Sequence, residues 1–249
     1  MKVSIKIKTS DQLSAQTIDQ MWDVYKEYYH YSAAYFRQRI HRNTHFALFL
    51  KHNKIIGFTG LRINKVNIDG KKTSLFYLGQ TVIHHNYRGK KLLRRMGIKL
   101  AKAFCLDFLL RRGYLWCDAI SYKSYMAIAK GMCEFYPTFR NQTPQFEDAI
   151  IQFVGKKFYG DSFCSKSGTV SKKQNFVSDP STLITSLELR NPDIQYYAGA
   201  NPGYIQGNGL ITLTPMNWTN ITYLLHNIWK KSKSRKAQAS GRLTATKAA

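Results

Sequence analysis

The stretch Thr73-Ser74-Leu75-Phe76-Tyr77-Leu78-Gly79-Gln80-Thr81-Val82-Ile83 runs through His84-His85-Asn86-Tyr87 into Arg88-Gly89-Lys90-Lys91-Leu92-Leu93. Its first part is apolar and β-branched enough for a strand. Its last part opens a helical pattern in which Leu92, Met96, Leu100, Phe104 and Phe108 fall four apart, predicting one long helix to about Arg112 with Gly113 as its stop. A strand that turns through glycine into a helix puts the unsatisfied N–H groups of the first helical turn at the strand's end, where the helix dipole favours an anion. Gly89 lets a ligand approach the backbone, and Arg88, Lys90 and Lys91 add charge. The assembly suits a pyrophosphate. A strand–helix turn with a solvated basic end is the other reading, because a short glycine motif is a weak signal.

Upstream, Val3, Ile5 and Ile7 alternate with polar residues, giving a strand over 2–9. From Asp11 to about Arg42 the period is helical, in one or two pieces, with Ile18, Met21, Trp22, Tyr25, Tyr28 and Tyr29 on one face and Tyr31, Tyr35 and Phe36 continuing it. Strands follow at His45–Lys51 and Lys54–Asn67; with Thr73–Ile83 they predict an antiparallel meander closed by the turn Ile68-Asp69-Gly70-Lys71. Downstream, Tyr114–Ile120 reads as a strand and Lys123–Phe135 as a helix ended by Tyr136-Pro137. Phe146–Phe158 fits a strand or a short helix, and 160–182 a loop. Turn signals at Asn201-Pro202-Gly203 and Gly207-Asn208-Gly209 precede a strand at Leu210–Leu213 and a helix at Asn217–Trp229. Ile221, Leu224, Leu225, Ile228 and Trp229 lie on or near one face of that helix, which must bury against something.

This order resembles the GNAT superfamily of acyl-CoA N-acyltransferases over about residues 2–139. The resemblance implies an α/β fold with a mixed, mostly antiparallel sheet flanked by helices, and an acyl group carried by CoA. It implies that Val82 and Ile83, ending the fourth strand, and the loop Arg88, Gly89, Lys90, Lys91, Leu92 and Leu93 hold the donor: the loop amides cradle the pyrophosphate and a strand N–H meets the oxyanion. Phe135-Tyr136-Pro137 resembles the stretch that often closes the last core helix of that family. The sequence departs from the pattern in five places: Asn86 stands where Gln or Arg is frequent, Lys91 for a second glycine, Leu93 for a final Gly or Ala, Glu134 for the glycine before Phe135, and Lys130 for a frequent acid Tyr.

The chemistry asks for a base to take a proton from an amine and an acid to meet the departing thiolate. His84, with its neighbour His85, stands at the right strand end for the base; Tyr125 and Tyr136 flank the last core helix as candidate acids. Solvated turn histidines and packing tyrosines are the plainer readings. Asp118 lies mid-strand, either acting through water or paired within the structure, and proximity supplies acceleration without any of these groups. The tyrosines of the helical pair suit core packing with a surplus of polar tips for an acceptor or acyl pocket.

Thirty-eight Lys and Arg against 14 Asp and Glu give a net charge of +24 in 249 residues. Such a field draws polyanions. The stripe Lys91, Arg95, Lys99 and Lys102 reads equally as a solvated face or as a surface for RNA or an acidic protein. The four cysteines lack metal-ligand spacing and read as buried free thiols, so no metal is expected. No apolar run approaches the roughly 20 residues of a membrane span. The start lacks a signal-peptide core, which predicts a cytoplasmic protein.

The expected organisation is a transferase core over 1–139, an extension over 140–230 packed on it, extending its sheet and walling the acceptor pocket, and a basic, disordered tail over 231–249. The expected reaction is transfer of an acetyl group from acetyl-CoA, or of another acyl group from its acyl-CoA, to an amine-bearing acceptor, small molecule or protein. Two rivals remain: a longer chain taken from acyl carrier protein, and a non-catalytic RNA- or ribosome-binding protein on the same scaffold.

Overall fold

A computed structural model describes residues 3–29, 31–172, 183–227 and 230; the side chains of 108 and 109 are outside that description. The chain runs β1 (Ser4–Thr9), α1 (Ala15–Tyr25), α2 (Ala33–Ile40), β2 (His45–Lys51), β3 (Lys54–Ile68), β4 (Lys71–Ile83), α3 (Leu92–Ala103), α4 (Cys105–Leu110), β5 (Arg112–Ala119) and α5 (Tyr122–Ala129). It continues with α6 (Gln145–Tyr159), β6 (Phe163–Cys164), β7 (Thr169–Val170), α7 (Pro192–Ala200) and β8 (Gly209–Pro215). All eight strands form one sheet in the order β1-β2-β3-β4-β5-β8-β7-β6. Only β4 and β5 pair in parallel. This is the mixed, mostly antiparallel α/β class that the sequence predicts, and up to α5 the elements come in the order that the resemblance implies.

Alternation assigns the two faces. In β2, Phe46 and Leu48 point to one side and Ala47 and Phe49 to the other. The first side carries α1, then α6 over Tyr77, Trp116, Ile211 and Leu213. The second carries α3, then α5 and α7 over Ala119 and Leu210.

Several expectations change. The long helix breaks at Phe104, whose backbone leaves the helical region (φ −118°, ψ 22°) where its ring packs edge-on against Phe76 and His45. Gly113 is no helix stop: it lies inside β5, paired with Ser74. The next helix ends at Ala129 rather than Phe135. The Asn220 side chain accepts from the N–H groups of Cys133 and Glu134, and Tyr136 exchanges two 2.7 Å backbone bonds with Leu213. Residues 145–159 are a helix, with Glu147 and Asp148 in its first turn and Lys156 and Lys157 in its last, as the macrodipole favours. The stretch read as loop at 160–182 contains β6 and β7. A further helix, α7, starts at an Asn191 cap followed by Pro192.

Residues 218–227 are helical, but their apolar face is only partly covered. Ile221 and Leu224 are half-buried, while Leu225 is 59% and Trp218 73% exposed. The stretch is anchored instead by the buried amide of Asn220, which also donates to the carbonyls of Glu134 and Pro215, both at 2.8 Å. The expectations for Ile228, Trp229 and 231–249 fall outside the described residues, as does the side chain of Phe108.

Candidate functional site

Strands β4 and β5 pair from Thr73↔Arg112 to Tyr77↔Trp116, and there the ladder ends. β4 continues to Ile83 along β3, and β5 continues to Ala119 along β8. Two neighbours in a sheet thus part company and leave a wedge between them. β4 carries a register shift at the same level, opposite Phe58/Gly60, with Gln80 at φ +48°. Bulges of this kind re-aim a strand. Gln80 Oε1 accepts from Asn43 Nδ2 at 2.5 Å, while Gln80 Nε2 and Asn43 Oδ1 are buried without partners among the described residues.

Val82 and Ile83, opposite Phe58 and Gly57, lie on the β4 side of the wedge, and the loop from His84 to Lys91 follows them. Arg88 Nε donates to the carbonyl of Ile83 at 3.1 Å and its guanidinium covers the Tyr28 ring at 4.7 Å, which fixes the loop's start. Gly89 has φ +74° with open space around it. Lys91, where the resemblance implies a second glycine, has φ +58°. The backbone therefore keeps the left-handed shape that glycine favours, although the side chain has changed. Lys91 stands at the N-cap of α3, and its side chain makes no capping bond to the N–H groups of the first turn. Leu92 is buried under the sheet and Leu93 is 40% exposed.

His84 lies at the wedge mouth, on the loop after β4. Its Nδ1 accepts from the Asn86 N–H at 3.3 Å, and its Nε2 lies 3.9 Å from Glu27. Neutral His84 then carries its proton on Nε2, and the lone pair a base would use is already engaged. His85 stacks on it at 4.2 Å, and the Tyr28 hydroxyl accepts from the His85 N–H at 2.8 Å. Glu27, His84 and His85 bring one ligand atom each within 4.8 Å of one another, but a neutral His84 in this hydrogen bond has no lone pair left to give an ion.

The structure does not bring the two tyrosines to this mouth. Tyr125 is fully buried on α5, with its hydroxyl donating to the Pro137 carbonyl at 3.0 Å. Burial pushes that hydroxyl's pKa up, and the ring packs among Phe135, Tyr196 and Tyr197. Tyr136 sits on the far side of β8, two strands removed from β4, beside Glu147 and Glu134.

Sequence reading left Asp118 between two roles, and the structure gives it the paired one. It stands on β5 beyond the last β4 pair, accepts from the Tyr77 hydroxyl at 2.9 Å, and forms an ion pair with Lys172. Burial raises its pKa, but the charge and hydrogen bond of Lys172 and the hydroxyls of Tyr77 and Tyr159 outweigh this and hold it below 3.8. Tyr77 bridges the wedge because its ring lies flat over Gly79, where any Cβ would strike it. Facing it from α1, α2 and the turn between them are Tyr25, Tyr29, Tyr31, Tyr35 and Arg39.

The basic stripe on α3 is partly structural. Arg95 donates to the Val3 carbonyl at 2.5 Å and Lys99 to the Ile5 carbonyl at 2.7 Å, which pins β1. Of the cysteines expected to be buried, Cys105 and Cys164 are exposed; Cys117 is half-buried, and burial raises its thiol to about 12.

No family model matches the chain, and no curated protein matches it. Among solved structures it is similar to an aminoglycoside acetyltransferase from an uncultured soil metagenomic sample, at 10% identity over 58% of this chain and 99% of that one, TM-score 0.40. A GNAT family acetyltransferase from Staphylococcus aureus is similar at 18% identity over 57% and 100%, TM-score 0.38. A conserved protein of unknown function from Enterococcus faecalis V583 is similar at 13% identity and TM-score 0.40; the match covers 51% of this chain and 32% of that one. These are partial likenesses of fold. No helix among the described residues is long and apolar enough to cross a membrane.

Proposed function

We propose that the chain is an N-acyltransferase that moves an acyl group, acetyl in the simplest case, from CoA to an amine. One observation carries the reading: the β4–β5 wedge opens onto a left-handed glycine–lysine loop at the N-terminus of an amphipathic helix. The wedge suits a narrow, amide-bearing arm, and the leftover amide groups of Gln80 and Asn43 suit its polar atoms. The loop, with Arg88, Lys90 and Lys91, suits the pyrophosphate.

In this reaction the amine nitrogen bonds to the thioester carbonyl carbon, the C–S bond breaks, and the nitrogen loses one proton as the thiolate gains one. With the His84 lone pair engaged and Tyr125 buried, the acceleration rests on holding amine and thioester together. In this reading residues 1–139 form the transferase core and 140–230 an extension that walls the acceptor side. Phe158, Tyr159 and Lys172, all from the extension, stand at Arg62 and Asp118, which supports the wall.

Calorimetry with CoA, acetyl-CoA and longer acyl-CoAs tests the proposal. Gly89→Asp puts a carboxylate against the phosphate site and is expected to weaken CoA at least tenfold, about 1.4 kcal/mol. Unchanged affinity in a variant that melts normally would remove the loop from the site.

A further inference from the structure

Arg39 is a half-buried cation whose surroundings do not neutralise it. Its Nη1 donates to the Tyr25 hydroxyl at 3.3 Å, and its guanidinium lies 5.7 Å from the Tyr31 ring centre and 5.8 Å from that of Tyr35. Burial works against its charge, and the groups that favour it are Tyr25, Tyr77, Tyr35 and Tyr31, all phenols. Of the other arginines, Arg140 pairs with Asp193, and Arg62 and Arg95 donate to backbone carbonyls, Arg62 also lying over the Tyr77 and Phe158 rings. Among the described residues no carboxylate lies within ion-pair distance of Arg39. The nearby carboxylate at the wedge, Asp118, is already held by Lys172.

Aromatic faces stabilise a guanidinium without cancelling its charge. Phenol hydroxyls accept from it and can also donate to an anion. A planar guanidinium framed this way presents a fork that matches a carboxylate. Arg39 lies on the sheet face at the β4 side of the wedge: Tyr25, whose hydroxyl accepts from it, packs on Phe58, the β3 residue paired with Val82 of β4.

We propose that Arg39, framed by Tyr25, Tyr31 and Tyr35, is a carboxylate-binding subsite, and that the acceptor amine carries that carboxylate. Placing the carboxylate on the acceptor rests on the acyl-transfer reading; the subsite itself does not. With Asp118 held by Lys172, the cationic fork also disfavours polyamines, so the acceptor class is amino-acid-like rather than polycationic.

Calorimetry on the full chain with matched probes tests this: glycine against glycinamide, L-phenylalanine against L-phenylalaninamide, and spermidine. The acid of a pair is expected to bind at least tenfold tighter than its amide, and spermidine to bind weakest. R39Q should abolish the preference and R39K should retain part of it, since lysine keeps charge without the fork. R37Q, on the exposed side of the same helix and paired with Asp19, should leave it intact. Equal binding of acid and amide, no binding of either, or a preference untouched in R39Q overturns the subsite. If R39Q does not fold, an undiminished ratio in R39K overturns it equally. Tighter binding of succinyl-CoA than acetyl-CoA, lost in R39K and excluding the acid probe, would give the carboxylate to the acyl group and overturn the acceptor assignment. Absence of CoA binding in the same wild-type titrations would sink the acyl-transfer reading and leave the acid-to-amide ratio to judge the subsite.

Discussion

The two sides of β5 are held differently. Toward β8, Tyr114 to Ala119 pair without interruption, ending at Ala119↔Leu210. Toward β4 the pairing stops at Trp116, and Cys117, Asp118 and Ala119 face an opening. One strand thus pairs with β8 over its last six residues and with β4 only over its first five. The lesson is that a sheet can be parted at its middle when the strand at the gap is secured from behind. Each backbone bond forgone at the gap is worth roughly 1 kcal/mol, a modest loss beside the apolar burial that β8 brings.

The strongest way to break this comparison is to remove the secured side. A chain ending at Phe139 loses β8 and α6 and uncovers Trp116 and Tyr114. Each large side chain so exposed costs about 1.5–3 kcal/mol, against a total stability of about 5–15 kcal/mol. The truncated chain is expected to be insoluble or to melt without cooperativity. A soluble fragment with a native-like melt would show that the meander holds β5 unaided.

Next in size is Lys172→Met, which leaves the buried Asp118 carboxylate without its cation. A loss of about 3–5 kcal/mol in urea denaturation is expected. Asp118 also sharpens the comparison through pH. Because its folded pKa lies below 3.8, the stability it contributes is present above pH 3.8 and is lost as pH falls through the folded value. Asp118→Asn lacks that acid-side loss, so the gap between wild type and D118N should close as the solution is acidified from pH 3.8. A gap independent of pH would show that the ion pair contributes nothing.

Asn220→Ala strips the acceptor from the Cys133 and Glu134 N–H groups, for about 2–3 kcal/mol. Hydrogen exchange at those two amides should rise with it; unchanged exchange would mean that the clip is incidental. The smallest effect is expected for Leu225→Ser, within about 0.5 kcal/mol by thermal melt, because Leu225 is already in solvent. A larger loss would restore the apolar docking that helical spacing predicts.

The meander, the strand after α4 and the loop–helix turn were legible because each obeys a local rule: alternation of two, spacing of four, glycine at the turn. The breaks were not. Phe104 interrupts a perfect spacing because Phe76 and His45, far off in sequence, hold its ring. The Lys123–Phe135 helix stops early because Asn220, some ninety residues later, takes its amides. The dipole-matched ends of α6 and the Asn191-Pro192 start of α7 were readable signals that apolar spacing hid. Among the site residues, the loop's backbone shape could be anticipated from Gly89. The wedge could not, since it depends on which partner each strand follows. Arg39 and Tyr77 gave no signal, as only the fold sets Tyr77 on Asp118 and Arg39 among the tyrosines of α1 and α2.

The strand order sets a timetable for synthesis. β5 emerges from the ribosome about ninety residues before β8, the strand that lies against it. At about 5–20 residues per second that interval lasts roughly 5–18 seconds. Throughout it, a finished meander ends in a bare apolar edge carrying Tyr114 and Trp116, the kind of template that recruits a stray strand from another chain. Production of this protein is therefore expected to depend on elongation speed, growth temperature and chaperone supply more than its final packing would suggest.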